Sequence, residues 1–229
     1  MAETKRRKGE ETRASLLAVA ERHFAAVGFD AARMEDVAGE VGIKRAGIFY
    51  YFRDKRALYD AVLTQVFERF MQHSRRAAET GSSEPASPSA QIRAALEAWI
   101  DFVGHRPDAA RLILREAANA QPGGRSVVAR LAVPSISFLE AIVAEGERSG
   151  EFRPAYSNPY HLISVIGGST IYYCSAISAM TPDLPFDPTS EEGLADLKRD
   201  LWLVARALLG IVDETTESGD MVEGMQVDP

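Results

Sequence analysis

Lys44-Arg45-Ala46-Gly47 sets two long cations beside two residues with almost no side chain, and Tyr50, Tyr51 and Lys55 follow close behind. Cationic heads neutralise phosphates, and missing side chains let backbone and a helix end come close to a polyanion. This group offers recognition of a nucleic-acid groove, not bond chemistry. No rival chemistry is visible. The four histidines, His23, His73, His105 and His161, lack metal-ligand spacing, and no glycine-rich phosphate loop is present. Serine, histidine and carboxylate residues form no nucleophile arrangement. The sequence therefore predicts no enzyme, no metal site and no cofactor.

Such a group needs a rigid frame. Ala38 stands where two helices crossing at a steep angle need a small side chain, Gly42 where the chain must turn sharply, and Ile48 where the seam must be plugged. Met34, Val37, Ala38 and Val41 share one helical face, leaving Glu35, Asp36 and Glu40 wet. Gly42 predicts a left-handed helix stop. Arg33 precedes this helix where Ser or Thr would cap it, and a cation there opposes the dipole, which marks Arg33 as a phosphate contact. Upstream, Glu10 to Val27 reads as a bracing helix with Leu16, Ala20, Phe24 and Val27 on one stripe, ended by Gly28. Lys5-Arg6-Arg7-Lys8 reads as a flexible basic arm or, more plainly, as a solvated terminus. Phe49, Tyr51 and Phe52 suit a core as readily as an interface.

The run Gly28-Phe29-Asp30, then Met34-Glu35-Asp36-Val37-Ala38, then Val41 through Phe52, then Asp54-Lys55-Arg56-Ala57-Leu58 resembles the N-terminal domain of TetR family transcriptional regulators. The match covers roughly the first quarter of the chain. The resemblance implies a recognition helix in the major groove, with Lys44, Arg45 and Gly47 toward bases or nearby phosphates. It also implies that Tyr50, Tyr51 and Lys55 touch the DNA backbone or brace the helix that does. Phe49 stands where the family usually has Tyr, and Ala46 and Gly47 where Gly and Thr are common. Contacts shift accordingly toward Lys44, Arg45 and Tyr50.

Composition divides the chain. Its 229 residues are nearly half apolar, as in an ordinary globular protein, and carry a net charge of −7 that argues at first against a polyanion partner. Residues 1 to 76, however, hold 15 Lys and Arg against 11 Asp and Glu, or +4, leaving 11 against 22, or −11, for the rest. The N-terminal part alone is suited to DNA. The single Cys174 excludes an internal disulfide, and no signal-peptide core is visible, which points to the cytoplasm. Cys174 itself reads as a buried, inert thiol. Leu162 to Met180 is uncharged over a length that could cross a bilayer, but its Ser, Thr and Tyr residues, Gly167-Gly168 and lack of basic flanks read against a span.

The remaining periodicity predicts an all-α chain of about nine helices. Asp54 caps a long helix that ends in a mobile serine/proline loop near Glu79 to Ser89. Further helices are expected at Ala90 to Gly104, Pro107 to Asn119, Arg125 to Ser149, Pro159 to Met180 and Ser190 to Val212, the last opened by a Thr189–Glu192 capping box. The domain plan is a helix-turn-helix unit with its basic arm over 1–53, a helical ligand-binding and dimerisation domain over 54–212, and a disordered acidic tail over 213–229.

Small residues Ser164, Gly168, Ser175 and Ala179 on the uncharged helix allow close approach of a partner, a purely intramolecular core being the alternative. The resemblance implies a four-helix bundle across a two-fold axis, built from Leu162 to Met180 and Leu194 to Leu209 with Leu201, Trp202 and Leu208. Such a homodimer holds two recognition helices roughly 34–36 Å apart, so that together they read a palindromic operator. The resemblance further implies a pocket for a small, largely apolar effector that releases the DNA, as in a repressor. Phe67, Phe70, Trp99, Phe102, Leu112, Phe138, Ile142 and Tyr172 are its candidate lining, with Arg115 as a polar group, although each aromatic also suits plain core. Arg106, Arg111, Glu116 and His161 are further polar candidates, while Arg115 and Glu116 equally suit ion pairs. The alternative function is a helical scaffold whose helix-turn-helix unit binds a protein.

Overall fold

Leu16, Leu17, Ala20 and Phe24 recur at helical spacing along α1 (Ala2–Ala31) and are almost fully buried, so this helix forms the spine of the N-terminal head. The computed structural model describes residues 2–79, 86–119, 127–155, 158–181, 183 and 185–211, and no strand occurs among them. Gly28, at φ 80° and ψ 175°, breaks α1 where the sequence predicts its end. The start differs from expectation. Lys5 to Lys8 lie within the helix instead of forming a flexible arm, with Arg6–Glu10 and Arg7–Glu11 pairing one turn apart.

The head continues with α2 (Met34–Val41) and α3 (Arg45–Ile48). The long α4 (Lys55–Glu79) then leads into the body, with Asp54 Oδ1 accepting from the Ala57 N–H at 2.7 Å as the predicted cap. The body comprises α5 (Pro88–Gly104), α6 (Pro107–Asn119), α7 (Val127–Ser149), α8 (Pro159–Ile163), a π-helical turn (Ser164–Gly168), α9 (Ser169–Ser175), α10 (Ile177–Met180) and α11 (Glu191–Leu209). The single helix expected over Pro159 to Met180 is thus broken. Two adjacent glycines weaken it, while Ser169 and Thr170 hydroxyls bond back to carbonyls of the π-helical turn, Thr170 to Ile166 O at 2.7 Å. The cap of α11 is also displaced by one residue. Ser190 accepts from Gly193 N–H at 3.1 Å, whereas Thr189 turns to Asp187. The expected serine/proline loop falls mostly on residues 80–85 and the acidic tail on 213–229, outside the described residues.

Two cores meet along α4. Leu58, Tyr59, Val62 and Leu63 belong to the head cluster with Leu16, Phe24, Val37, Ile48 and Phe52, while Val66 and Phe67 belong to the body cluster with Leu96, Ile100, Ile113, Leu197 and Leu201. Leu112 of α6 and Val127 of α7 reach back into the head cluster. Head and body therefore share side chains as well as a helix.

Candidate nucleic-acid interface

The turn between α2 and α3 follows from a single glycine. Gly42 adopts φ 78° and ψ 26°, a left-handed conformation that a Cβ would strain. Its N–H bonds to Gly39 O at 3.1 Å and the Ile43 N–H to Ala38 O at 2.9 Å, the paired bonds of a Schellman stop. Ala38, 1% exposed, gives α3 room to approach, and the fully buried Ile48 closes the seam. The frame predicted from Ala38, Gly42 and Ile48 is present.

On that frame Lys44, Arg45 and Ala46 are exposed, Gly47 is half-buried and Tyr50 is 84% exposed. Tyr51 is half-buried and meets Tyr50 edge-on at 5.1 Å, whereas Phe52 is core. Arg45 is held in two ways. Its Nη1 lies 3.0 Å from Glu35 Oε1 on α2, and its guanidinium stands 5.9 Å from the centroid of Phe49. Phe49 thus gives Arg45 an aromatic face to lie over, where tyrosine would add a hydroxyl. Lys55 turns inward: its Nζ donates to Asp30 O at 2.9 Å and sits 4.8 Å from the Phe29 ring, so in the free chain it braces the end of α1. Arg33 is exposed at the start of α2 and makes no side-chain cap.

Several polar contacts were not legible beforehand. Arg22 and His23 of α1 both bond Glu40 of α2, His23 Nε2 at 3.0 Å, and these bonds hold the Glu40 carboxyl below its ordinary range. Buried Glu21 receives Arg106 Nη2 at 2.8 Å and 3.1 Å. The signal for it was a carboxylate on the same stripe as Leu17, Phe24 and Ala25. Tyr59 donates to Glu116 at 3.0 Å, and burial, with the Glu116 charge beside it, pushes the phenol well above its usual range.

The residues proposed to bind an effector separate into four groups. Phe67, Phe102 and Ile142 are buried in the body, and Phe70 packs edge-on to Trp99 at 5.1 Å and tilted on Phe102 at 5.4 Å. Leu112 lies instead in the head core. Arg115 donates to Ala25 O and Ala26 O, both at 3.0 Å, at the end of α1. Phe138 and Tyr172, 53% and 46% exposed, sit at the surface. Of the other polar candidates, Arg111 pairs with Asp108 at 3.7 Å and His161 is exposed.

The residues proposed for a subunit interface also divide. Ser164, Gly168 and Ala179 are exposed and Ser175 is half-buried. Leu201 is only 7% exposed and, with Trp202 and Leu208, packs on the subunit's own core. The large apolar residues of α11 facing outward are Leu203 and Val204, alongside Val165, Tyr172 and Met180 of the broken helix. No described helix is long and apolar enough to cross a membrane.

Comparison with known proteins agrees with this geometry. Residues 16–62 match the family described as bacterial regulatory proteins, tetR family, and residues 88–202 match the tetracyclin repressor-like C-terminal domain. The HTH-type transcriptional regulator RutR of Escherichia coli K12 is 28% identical over 159 residues, covering 69% of this chain and 72% of RutR. The HTH-type transcriptional activator FasR of Mycolicibacterium smegmatis is 29% identical over 133 residues, 58% of each chain. Among solved structures, a tetR family regulatory protein from Rhodococcus RHA1 superposes with a TM-score of 0.68 at 16% identity, over 88% of this chain and 98% of that one. AibR, solved with isovaleryl coenzyme A and operator DNA, gives 0.67 at 17% identity over 88% and 100%. The ketosteroid regulator KstR2 of Mycobacterium tuberculosis gives 0.64 at 20% identity over 88% and 95%. With both halves of the chain matched and a helix-turn-helix head built as described, this protein is a transcriptional regulator belonging to the TetR family.

Proposed function

We propose that the chain is a cytoplasmic repressor that binds a palindromic operator as a homodimer and lets go when a small, largely apolar effector enters the body. The observation that carries the reading is the surface on and around α3, where Lys44, Arg45 and Tyr50 stand exposed on a frame locked by Gly42 and Ile48. Lys44 and Arg45 reach bases and phosphates, Ala46 and Gly47 let the helix approach, and Arg33, Tyr50 and Tyr51 contact the DNA backbone. Lys55 acts through its hold on Asp30. The exposed apolar residues Val165, Tyr172, Leu203 and Val204 support pairing of subunits through the π-helical turn, α9 and α11.

An apolar effector is supported by the aromatic packing of Phe70, Trp99 and Phe102 between α4 and α5. Trp99 Nε1 is buried there with no acceptor among the described residues, and a ligand carbonyl would supply one. The neighbour AibR was solved with operator DNA and isovaleryl coenzyme A, whose branched acyl end is the apolar part that such a packing could receive here. The test is a titration of full-length protein with labelled DNA from upstream of its own and adjacent genes, with and without short acyl thioesters and sterol-like compounds. Salt-sensitive, specific binding that these compounds weaken supports the reading. Binding that ignores both salt and sequence refutes it.

A further inference from the structure

Glu21 is buried on α1, its side chain only 7% exposed, and two guanidiniums share it. Arg106 bonds both its oxygens, and Arg69 Nη1 lies 3.7 Å away. One negative charge thus faces two positive ones. Both arginines also line an open groove of about 300 Å³ between α4 and the end of α5, together with Gln72, His73, Asp101, Phe102 and His105. The carboxylate of Asp101 is already occupied, with Lys198 Nζ 2.6 Å from Oδ1. Phe102 lies under the Arg106 guanidinium, 5.6 Å from ring centroid to carbon, and fixes the plane of the fork. The groove therefore offers surplus positive charge, two imidazoles and an amide.

We propose that this groove is a regulatory anion site for a phosphate-bearing small molecule. Two guanidinium forks arriving from different elements match a group with several charged oxygens better than a single carboxylate. An anion seated there competes with Glu21 for Arg106, which stands at the start of α6. That helix carries Leu112, Arg115 and Glu116 into contact with the head, so drawing Arg106 away loosens α6 from α1. The effect on DNA rests on the function proposed above, whereas the anion site itself is tested without DNA.

Calorimetric titration of the full chain with pyrophosphate at matched ionic strength, with orthophosphate and acetate as separate arms, decides the matter. Pyrophosphate binds saturably and acetate does not. Arg69→Gln weakens binding about tenfold, and Glu21→Gln tightens it about tenfold because a charge-assisted competitor is gone. The double variant Glu21→Gln/Arg106→Gln, which leaves no buried charge unpaired, stays folded by circular dichroism and loses binding. Equal binding by the parent and Glu21→Gln overturns the site, as does full displacement of pyrophosphate by acetate. Linkage requires pyrophosphate to lower operator affinity by the factor that DNA lowers pyrophosphate affinity. Unchanged operator affinity overturns the regulatory role. A chain that binds no DNA refutes the DNA-binding function, while the calorimetry still judges the groove.

Discussion

Arg45→Ala and Glu35→Gln should move DNA affinity in opposite directions. In the free protein the two side chains pair at 3.0 Å with 59% and 45% of their areas exposed. An ion pair so open to water contributes roughly 0–1 kcal/mol. A charge-assisted hydrogen bond from Arg45 to DNA contributes about 1.5–3 kcal/mol. Exchanging one for the other leaves about 1–2 kcal/mol per head, so Arg45→Ala weakens binding roughly five- to thirtyfold for each head and, with both heads of a dimer changed, roughly thirty- to several-hundredfold. Glu35→Gln frees the guanidinium and removes a carboxylate from beside the nucleic acid, tightening binding by up to about fivefold for each head. Fluorescence anisotropy with a labelled promoter fragment, repeated between about 50 mM and 200 mM salt, also reads the slope, which falls by about one for each phosphate no longer neutralised. Two results would sink the reasoning. If Arg45→Ala folds normally and binds with parental affinity and slope, Arg45 does not touch DNA. If Glu35→Gln weakens binding as much as Arg45→Ala, the pair is a strut that positions Arg45, not a restraint that DNA displaces.

Three further outcomes follow from the structure. Leu203→Glu places a charge on the exposed apolar face of α11 beside Val204, so it yields monomers by light scattering where the parent is a dimer, and a monomeric parent refutes the interface. Arg22 and His23 depress the Glu40 carboxyl, so its contribution to stability is present above the unfolded value and is lost as pH falls through the lower folded one. Denaturant unfolding should therefore show Glu40→Gln less stable than the parent near about pH 6 and converging with it near about pH 3, and a constant difference contradicts this. Cys174 is 6% exposed, and burial pushes its thiol up to about 11, so a disulfide reagent near about pH 8 leaves it unmodified until denaturant is added. Rapid labelling of the folded protein contradicts that.

The head was legible because its determinants are local. Ala38, Gly42 and Ile48 act through contacts a few residues apart, and a left-handed stop needs only the glycine and the turn before it. The two ends of α6, Pro107 and Asn119, were legible for the same reason, from the proline at its start and the helix-breaking residues after it. What escaped was the partnering of long polar side chains across elements. Arg106 meets Glu21 across 85 positions and Arg115 meets Ala25 across 90, and no periodicity carries such a distance. Many apolar residues were recognised as buried, but not Phe138 and Tyr172 as exposed, nor which core the buried ones entered: Leu112 sits in the head and Leu201 in its own subunit. The π-helical turn over Ser164–Gly168 and the break at Ala176 were hidden because apolar content alone does not distinguish a continuous helix from an interrupted one.

Leu112 and Val127 complete the head cluster from beyond its own segment, and Arg115 satisfies the carbonyls at the end of α1. The reading head is consequently not a cassette. A fragment ending at residue 62 carries a hole where Leu112 belongs, at a cost of about 2–5 kcal/mol if a large apolar side chain is the measure, and an unsatisfied helix end beside it. Grafting this head onto another regulator's body would have to bring along the face of α6 that fills it. A body that evolves a new effector can drift elsewhere, but along that face it stays tied to the operator its head was built to read.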